Sequence, residues 1–212
     1  MKYWVFDLDG TLVDSHSVYF NSLRKLLESY DVSLSESDEQ DILRTPVKER
    51  VSFFAKKVGA ECADEALRLF EIRILQDDSD VEVFDGIVKL LEKLIHQDKK
   101  IALWTARDMN SARRVIHNTG LSPYFSFFMS GTCVSNCKPA PEGLLRIAQA
   151  FDCDPTALVM VGDHDNDMLA ARACGAKAIR ALWNDPSLDC ELSDHQFTQV
   201  GSLTHWLPEN PV

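Results

Sequence analysis

Residues 5–14 read VFDLDGTLVD, and the reading of this run sets the terms for the rest of the chain. It begins as a buried strand, with Val5 and Phe6 following Tyr3 and Trp4, all types that suit a pleated, packed surface. Yet Asp7, Asp9 and Asp14 fall within eight residues, and the first two stand two apart where the apolar run stops. Carboxylates this close cannot all stay ionised without compensation. Something positive belongs at the end of this strand.

The 212 residues suffice for a core of one domain, or one domain with an insertion. A hydrophobic fraction of 45% and a charged fraction of 26% are those of an ordinary soluble globular chain. The net charge of −11 argues against a nucleic-acid backbone or an anionic membrane as partner. No apolar run approaches the roughly 20 residues that span a bilayer, and no signal peptide is evident at the N-terminus. Six cysteines are scattered rather than clustered, which predicts reduced thiols and a cytoplasmic setting. The Cys133-x3-Cys137 pair has no partner pair and reads as two unrelated thiols.

Outward from the first strand, apolar runs recur at 100–105, 124–130, 157–163 and 176–182. Continuous rather than alternating hydrophobicity suits strands buried on both faces of a parallel sheet. Helical patterns lie between them at 86–97, 108–120, 141–151 and 167–175, with Gly120 and Gly175 where C-caps fall. The alternation predicts an α/β fold, a doubly wound parallel Rossmann-like sheet.

Residues 15–82 interrupt it with helical patterns at 17–30, 35–44, 47–59 and 62–76. Ser35, Glu36 and Glu39 supply start signals, and Pro46 separates two segments. This reads as an inserted α-helical cap domain, leaving 1–14 and 83–212 as the α/β core.

Polar clusters punctuate the strand ends: Asp7 and Asp9 after the first, Thr105 after the second, Lys138 before the helix following the third, and Asp163, Asp165 and Asp167 after the fourth. Right-handed crossovers would gather all four at one sheet edge, where ligands bind. Crowded carboxylates suit a hard divalent cation such as Mg²⁺. A lysine and a hydroxyl add donors for phosphate oxygens. The set predicts phosphoryl transfer, in which positioning and charge neutralisation carry the catalysis.

The succession DLDGT (7–11), Thr105 after a strand, KPAPEG (138–143) and GDHDND (162–167) resembles the four motifs of the haloacid dehalogenase (HAD) superfamily. The resemblance spans nearly the whole chain, places 15–82 at a C1-type cap, and is nearest the phosphoglycolate phosphatase-like branch. It implies Asp7 as nucleophile and Asp9 as general acid and then base. It implies Mg²⁺ held by the Asp7 side chain, the Asp9 backbone carbonyl and Asp163, with Asp167 behind them or reaching the ion through water. Thr105, the Ala106 amide and Lys138 would hold the transferring phosphoryl group. Gly10 would permit the turn beside the nucleophile, with the Thr11 hydroxyl bonded to backbone. The implied activity is Mg²⁺-dependent hydrolysis of a small phosphorylated metabolite by a monomer or homodimer.

Other readings compete. A β-phosphoglucomutase-like transferase uses the same motifs with a similar cap. A 2-haloacid dehalogenase lacks the second aspartate of the first motif, whereas Asp9 is present. A phosphonatase needs a cap lysine in a recognisable motif, and Lys25, Lys48, Lys56 and Lys57 sit in none. A receiver domain separates its acidic pair from its phosphoacceptor and has no helical insertion after the first strand. Asp14 reads as a helix N-cap, Asp165 as solvent-facing or a cap, and His164 as a tuned neighbour of the site. Arg107 stands where relatives carry a small residue or Asn, and reads equally as a substrate contact or a partner of nearby acids. Arg44, Lys48 and Arg50 read as solvated bases or contacts to an anionic leaving group. Trp104, Tyr124, Phe125, Phe127 and Phe128 read as core.

Overall fold

The computed structural model describes residues 2–44, 50–77, 80–186 and 191–207. The readings of Pro46, Lys48 and the Arg44 side chain lie outside the described residues. Five cysteines among the described residues are unpaired. Among the described residues, no helix is long and apolar enough to cross a membrane.

The chain divides into two units, 1–14 with 82–212, and 15–81. The first opens with β1 (Tyr3–Phe6) and a two-residue β2 (Val13–Asp14). The second holds α1 (Ser15–Glu28), α2 (Glu36–Arg44), α3 (Arg50–Val58) and α4 (Ala63–Asp77). The first unit then resumes with β3 (Glu82–Val83), α5 (Ile87–His96), β4 (Lys100–Trp104), α6 (Met109–Asn118) and β5 (Phe127–Met129). It continues through α7 (Glu142–Phe151), β6 (Leu158–Gly162), α8 (Asp165–Cys174), β7 (Lys177–Ala181), β8 (His195–Phe197) and α9 (Val200–Trp206).

A six-stranded sheet runs β5-β4-β1-β6-β7-β8, with every pairing parallel. This is the doubly wound α/β sheet that the alternation predicts. Successive side chains of β1 point to opposite faces, and both faces are covered. Val5 joins Trp104, Met160, Leu144, Ile147 and Met168 in one apolar cluster on the α7 and α8 side. Trp4 and Phe6 stack at 6.2 Å, and each is almost fully buried. Removing such a side chain from water contributes about 1.5–3 kcal/mol, so the three apolar residues anchor the strand that delivers Asp7.

The structure refines the sequence reading at the edges. β8 and α9 were not expected, because HQF is too short and polar to register as a strand. The aromatics of 124–128 are half-buried rather than core, because β5 is an edge strand with a neighbour on one side only. Trp104, on inner strand β4, is 1% exposed.

The helical unit has its own core of Leu23, Leu27, Ile42, Phe53, Phe54 and Phe70. Ser35 begins α2 as expected, but its capping partner is Asp38 rather than Glu39. The Ser35 amide donates to Asp38 Oδ2 at 2.9 Å, and the Asp38 amide donates to Ser35 Oγ at 3.3 Å. That reciprocal arrangement needs an acid at the third helical position, which Asp38 occupies. Glu39 instead receives Arg24 Nη2 at 2.7 Å.

Candidate active site

β1 lies between β4 and β6, so the chain leaves the sheet centre at the point where the strand order reverses. Asp7, Thr105 and Asp163 each follow the last residue, or nearly the last, of these three strands. Parallel pairing therefore brings all three to one edge, the crevice where open α/β sheets bind ligands. Lys138 reaches the same edge from the loop between β5 and α7.

The carboxylates of Asp7, Asp163 and Asp167 offer oxygens that all lie within 4.8 Å of one another. Lys138 Nζ donates to Asp7 Oδ1 at 2.7 Å and to the Trp104 carbonyl at 2.7 Å, and pairs with Asp167 Oδ1 at 2.6 Å. Its ammonium also sits 4.8 Å from the centre of the Trp104 ring. The loop before it is held by Glu142, whose carboxylate accepts the Ser135 amide at 3.0 Å and the Asn136 amide at 2.8 Å. Those two amides pull the Glu142 carboxyl below its ordinary range.

One ammonium does not balance three carboxylates. Burial pushes the Asp7 carboxyl up to about 7, against the pull of Lys138 and with further push from Asp167 and Asp9. Burial and then Asp7 and Asp167 raise Asp163 well above the carboxylate range. Burial opposes the charged form of Lys138, yet Asp167 and Asp7 prevail and its pKa rises.

Asp9 stands apart from this group. Arg107 Nε donates to both Asp9 carboxylate oxygens at 2.9 Å, and Nη2 donates to Oδ1 at 2.7 Å. Of the two readings of Arg107, pairing with a nearby acid is therefore realised. Thr105 is fully buried; its amide donates to the Met129 carbonyl at 3.0 Å and its Oγ1 accepts the Arg107 amide at 3.1 Å. Ala106 is exposed at the same turn. A β-carbon on Gly131 would come within 2.4 Å of the Ala106 carbonyl oxygen, so this turn requires glycine opposite it.

Gly10 has φ of 71°, and a β-carbon there would fall 2.1 Å from Asp163 Oδ2. Glycine thus supplies the left-handed turn and also the room that Asp163 fills. The expected Thr11 bond to backbone is replaced by one across the site: Oγ1 donates to Asp163 Oδ1 at 3.4 Å. The Thr11 carbonyl accepts Trp183 Nε1 at 2.9 Å, a contact with no local sequence signal.

The N-terminus of α8 orders the last motif. His164 is the N-cap, its Nδ1 accepting the Asn166 amide at 3.1 Å, while Asp167 accepts the His164 amide at 3.2 Å. His164 thus does the work of the hydroxyl residue usual at a cap. Asp165 is more than a solvated acid: Arg180 Nη1, buried in β7, donates to its Oδ1 at 2.8 Å. Arg180 escaped the sequence reading because it sits inside an apolar strand pattern. Register pairs it with Gly162, which puts it at the same edge of the sheet as Asp163. Asp14 immediately precedes α1, the position expected of an N-cap.

The donor set fits a Mg²⁺ ion. The three acids offer hard oxygen ligands, carry more negative charge than Lys138 offsets, and two of them are pushed towards protonation in its absence.

The fold and this edge define a phosphoryl-transfer type of α/β hydrolase. The haloacid dehalogenase-like hydrolase family matches residues 4–181, and the chain belongs to that family. It is 25% identical over 181 residues to the pyrophosphatase PpaX of Oceanobacillus iheyensis, covering 85% of this chain and 83% of that one. It is 24% identical over 213 residues to the phosphoglycolate phosphatase of Aquifex aeolicus, covering 100% and 99%. Among solved structures, a HAD-superfamily hydrolase of subfamily IA from Geobacter sulfurreducens superposes with a TM-score of 0.81 at 22% identity, covering 98% and 97%. The chain is an enzyme of the phosphatase kind within this family.

Proposed function

We propose that this phosphatase hydrolyses a small soluble phosphomonoester through an aspartyl-phosphate on Asp7, with Mg²⁺ as cofactor. The observation that carries the reading is Asp7 at the end of the central strand, 2.7 Å from Lys138 and grouped with Asp163 and Asp167. The likeness to the phosphoglycolate phosphatase of Aquifex aeolicus supports the phosphomonoester class. The scattered thiols of the sequence support a cytoplasmic setting.

In this reading an Asp7 oxygen attacks phosphorus and the bond from phosphorus to the leaving oxygen breaks. Asp9 gives its proton to that oxygen, then takes one from a water whose oxygen attacks the phosphoryl group. The Asp7–phosphorus bond breaks, phosphate leaves, and Asp9 holds the proton for the next cycle. Lys138, the Thr105 hydroxyl and the Ala106 amide hold the phosphoryl oxygens. The Asp7 side chain, the Asp9 backbone carbonyl and Asp163 would hold Mg²⁺, which supplies charge neutralisation and keeps Asp7 ionised. Asp167 holds Lys138. The helical unit of 15–81 acts as the C1-type cap domain, and the rest of the chain as the catalytic core.

The test is a panel of para-nitrophenyl phosphate, sugar phosphates and carboxylate phosphates, each assayed with Mg²⁺ and with EDTA. Turnover that requires metal and vanishes in Asp7→Asn is expected. Metal-independent turnover of 2-chloropropionate without phosphatase activity would sink the reading.

A further inference from the structure

Arg107 stands beside Asp9 at the site edge, and the proposed mechanism does not use it. Its placement is tightly determined. Its amide donates to Thr105 Oγ1 at 3.1 Å, and its carbonyl accepts the Gly131 amide at 2.9 Å. Asp108 caps α6 directly behind it, accepting the Asn110 and Ser111 amides at 2.9 and 3.0 Å. From this fixed backbone the guanidinium spans from Ser111 Oγ, 2.9 Å from Nη1, to both oxygens of Asp9. The pair is not sealed in the core, since the side chains of Arg107 and Asp9 keep 17% and 28% of their surface exposed.

We propose that Arg107 is a specificity-determining residue that selects substrates whose leaving group carries its own anionic function, by moving its guanidinium from Asp9 to that group. The proposal rests on the phosphatase reading above, because it takes the Asp9 carboxylate to face the leaving-group oxygen. A cation bonded to both oxygens of that carboxylate then lies within one guanidinium width of the leaving group.

Lys138 is held between Asp7, Asp167 and the Trp104 carbonyl, and in the reading above it serves the transferring phosphoryl group rather than the leaving group. With Lys138 and Mg²⁺ serving the phosphoryl group, an anionic leaving group arriving beside the Asp9 carboxylate would otherwise meet like charge, in a chain of net charge −11. Arg107 supplies the compensating charge in a planar fork that matches carboxylate or phosphate geometry. Its transfer also releases the Asp9 carboxylate to take up a proton, from solvent or from the monoanionic phosphoryl group, which it then hands to the departing alkoxide. A neutral leaving group offers the guanidinium nothing in exchange, and Asp9 stays engaged.

The test uses phosphoglycolate and ethyl phosphate, which differ in a carboxylate against a methyl group, and inorganic pyrophosphate for a phosphoryl anion. Each competes against para-nitrophenyl phosphate turnover with Mg²⁺, so inhibition constants are read even where a compound is a poor substrate. Wild type is expected to bind at least one of the two anionic compounds roughly 10- to 100-fold more tightly than ethyl phosphate. Which of the two is preferred tells carboxylate from phosphoryl occupancy. Arg107→Gln should abolish that ratio, and Arg107→Lys, which keeps the charge without the fork, should retain part of it. Ratios that are the same in wild type and Arg107→Gln, or a wild type without preference, overturn the proposal while para-nitrophenyl phosphate hydrolysis leaves the phosphatase reading standing. Wild type inactive on para-nitrophenyl phosphate and on the whole substrate panel, with Mg²⁺ present, overturns both.

Discussion

Each unit of this protein contains a close aspartate–lysine pair, and the two behave in opposite ways. In the helical unit Asp38 pairs with Lys57 and accepts two donors from Ser35, and its carboxyl is pulled down to about 2. In the α/β unit Asp7 pairs with Lys138 at 2.7 Å, yet its carboxyl is pushed up to about 7. The Lys57 hydrogen bond to Asp38, joined by those of Ser35, outweighs burial. Lys138 is shared between Asp7 and Asp167, with Asp163 beside them, and burial prevails. A salt bridge taken alone does not fix the direction in which an acid's pKa moves. The neighbouring charges and hydrogen bonds do.

Four experiments bear on that contrast. The largest effect is expected from Asp7→Asn, which should lower metal-dependent para-nitrophenyl phosphate turnover on the order of 10⁴-fold or more. Asp38→Asn should leave kcat/KM near the wild-type value. If Asp38→Asn were as damaging as Asp7→Asn, the two pairs would not differ in the way described.

Lys138→Met should come next. It strips the ammonium from three crowded carboxylates, with an expected loss of about 10²–10³ in kcat. Without metal it should also lower unfolding stability by about 3 kcal/mol, because it leaves buried charge unpaired. Lys57→Met, at a partly solvated pair, should cost less than about 1 kcal/mol by urea titration.

The pH dependence should also differ in sign. Asp7 is raised from 3.8 to about 7, so the folded chain keeps a proton there that the unfolded chain has released. Its contribution in EDTA is therefore favourable below about pH 4 and is lost as pH rises to about 7, by roughly a few kcal/mol. Subtracting the stability profile of Asp7→Asn from that of wild type should reveal this fall, and Mg²⁺ should counter it. The smallest effect belongs to Asp38, lowered to about 2. Its contribution is present above about pH 4 and disappears as pH drops towards 2, amounting to under about 1 kcal/mol at this pair. Thermal unfolding at pH 3 and pH 6, compared between wild type and Asp38→Asn, measures it.

Much of the sheet could be read from the chain because four of its six strands are buried on both faces and their hydrophobic runs are unbroken. β5 was also visible, since its aromatics are strong strand formers, though their burial was overstated at an edge. β8 was not, since an edge strand of three polar-flanked residues has no periodicity to read. The meeting of Asp7, Lys138 and Asp163 at one sheet edge was legible from short local motifs at strand ends. Arg180 and Trp183 were not, because they reach Asp165 and the Thr11 carbonyl across the fold from unremarkable positions.

The opening run VFDLDGTLVD by itself determined that a buried strand ends in a carboxylate pair needing a counter-charge. That conclusion follows from hydrophobicity and Coulomb repulsion, both of which act between near neighbours. Only the tertiary structure decided which counter-charge each acid receives. Parallel pairing of β1 with β4 and β6 put Asp7 beside Lys138, 131 positions away, and Asp9 beside Arg107, 98 positions away. Two aspartates two residues apart thus met different cations. Separation in sequence carries no information about such meetings, because they are made by packing of the sheet.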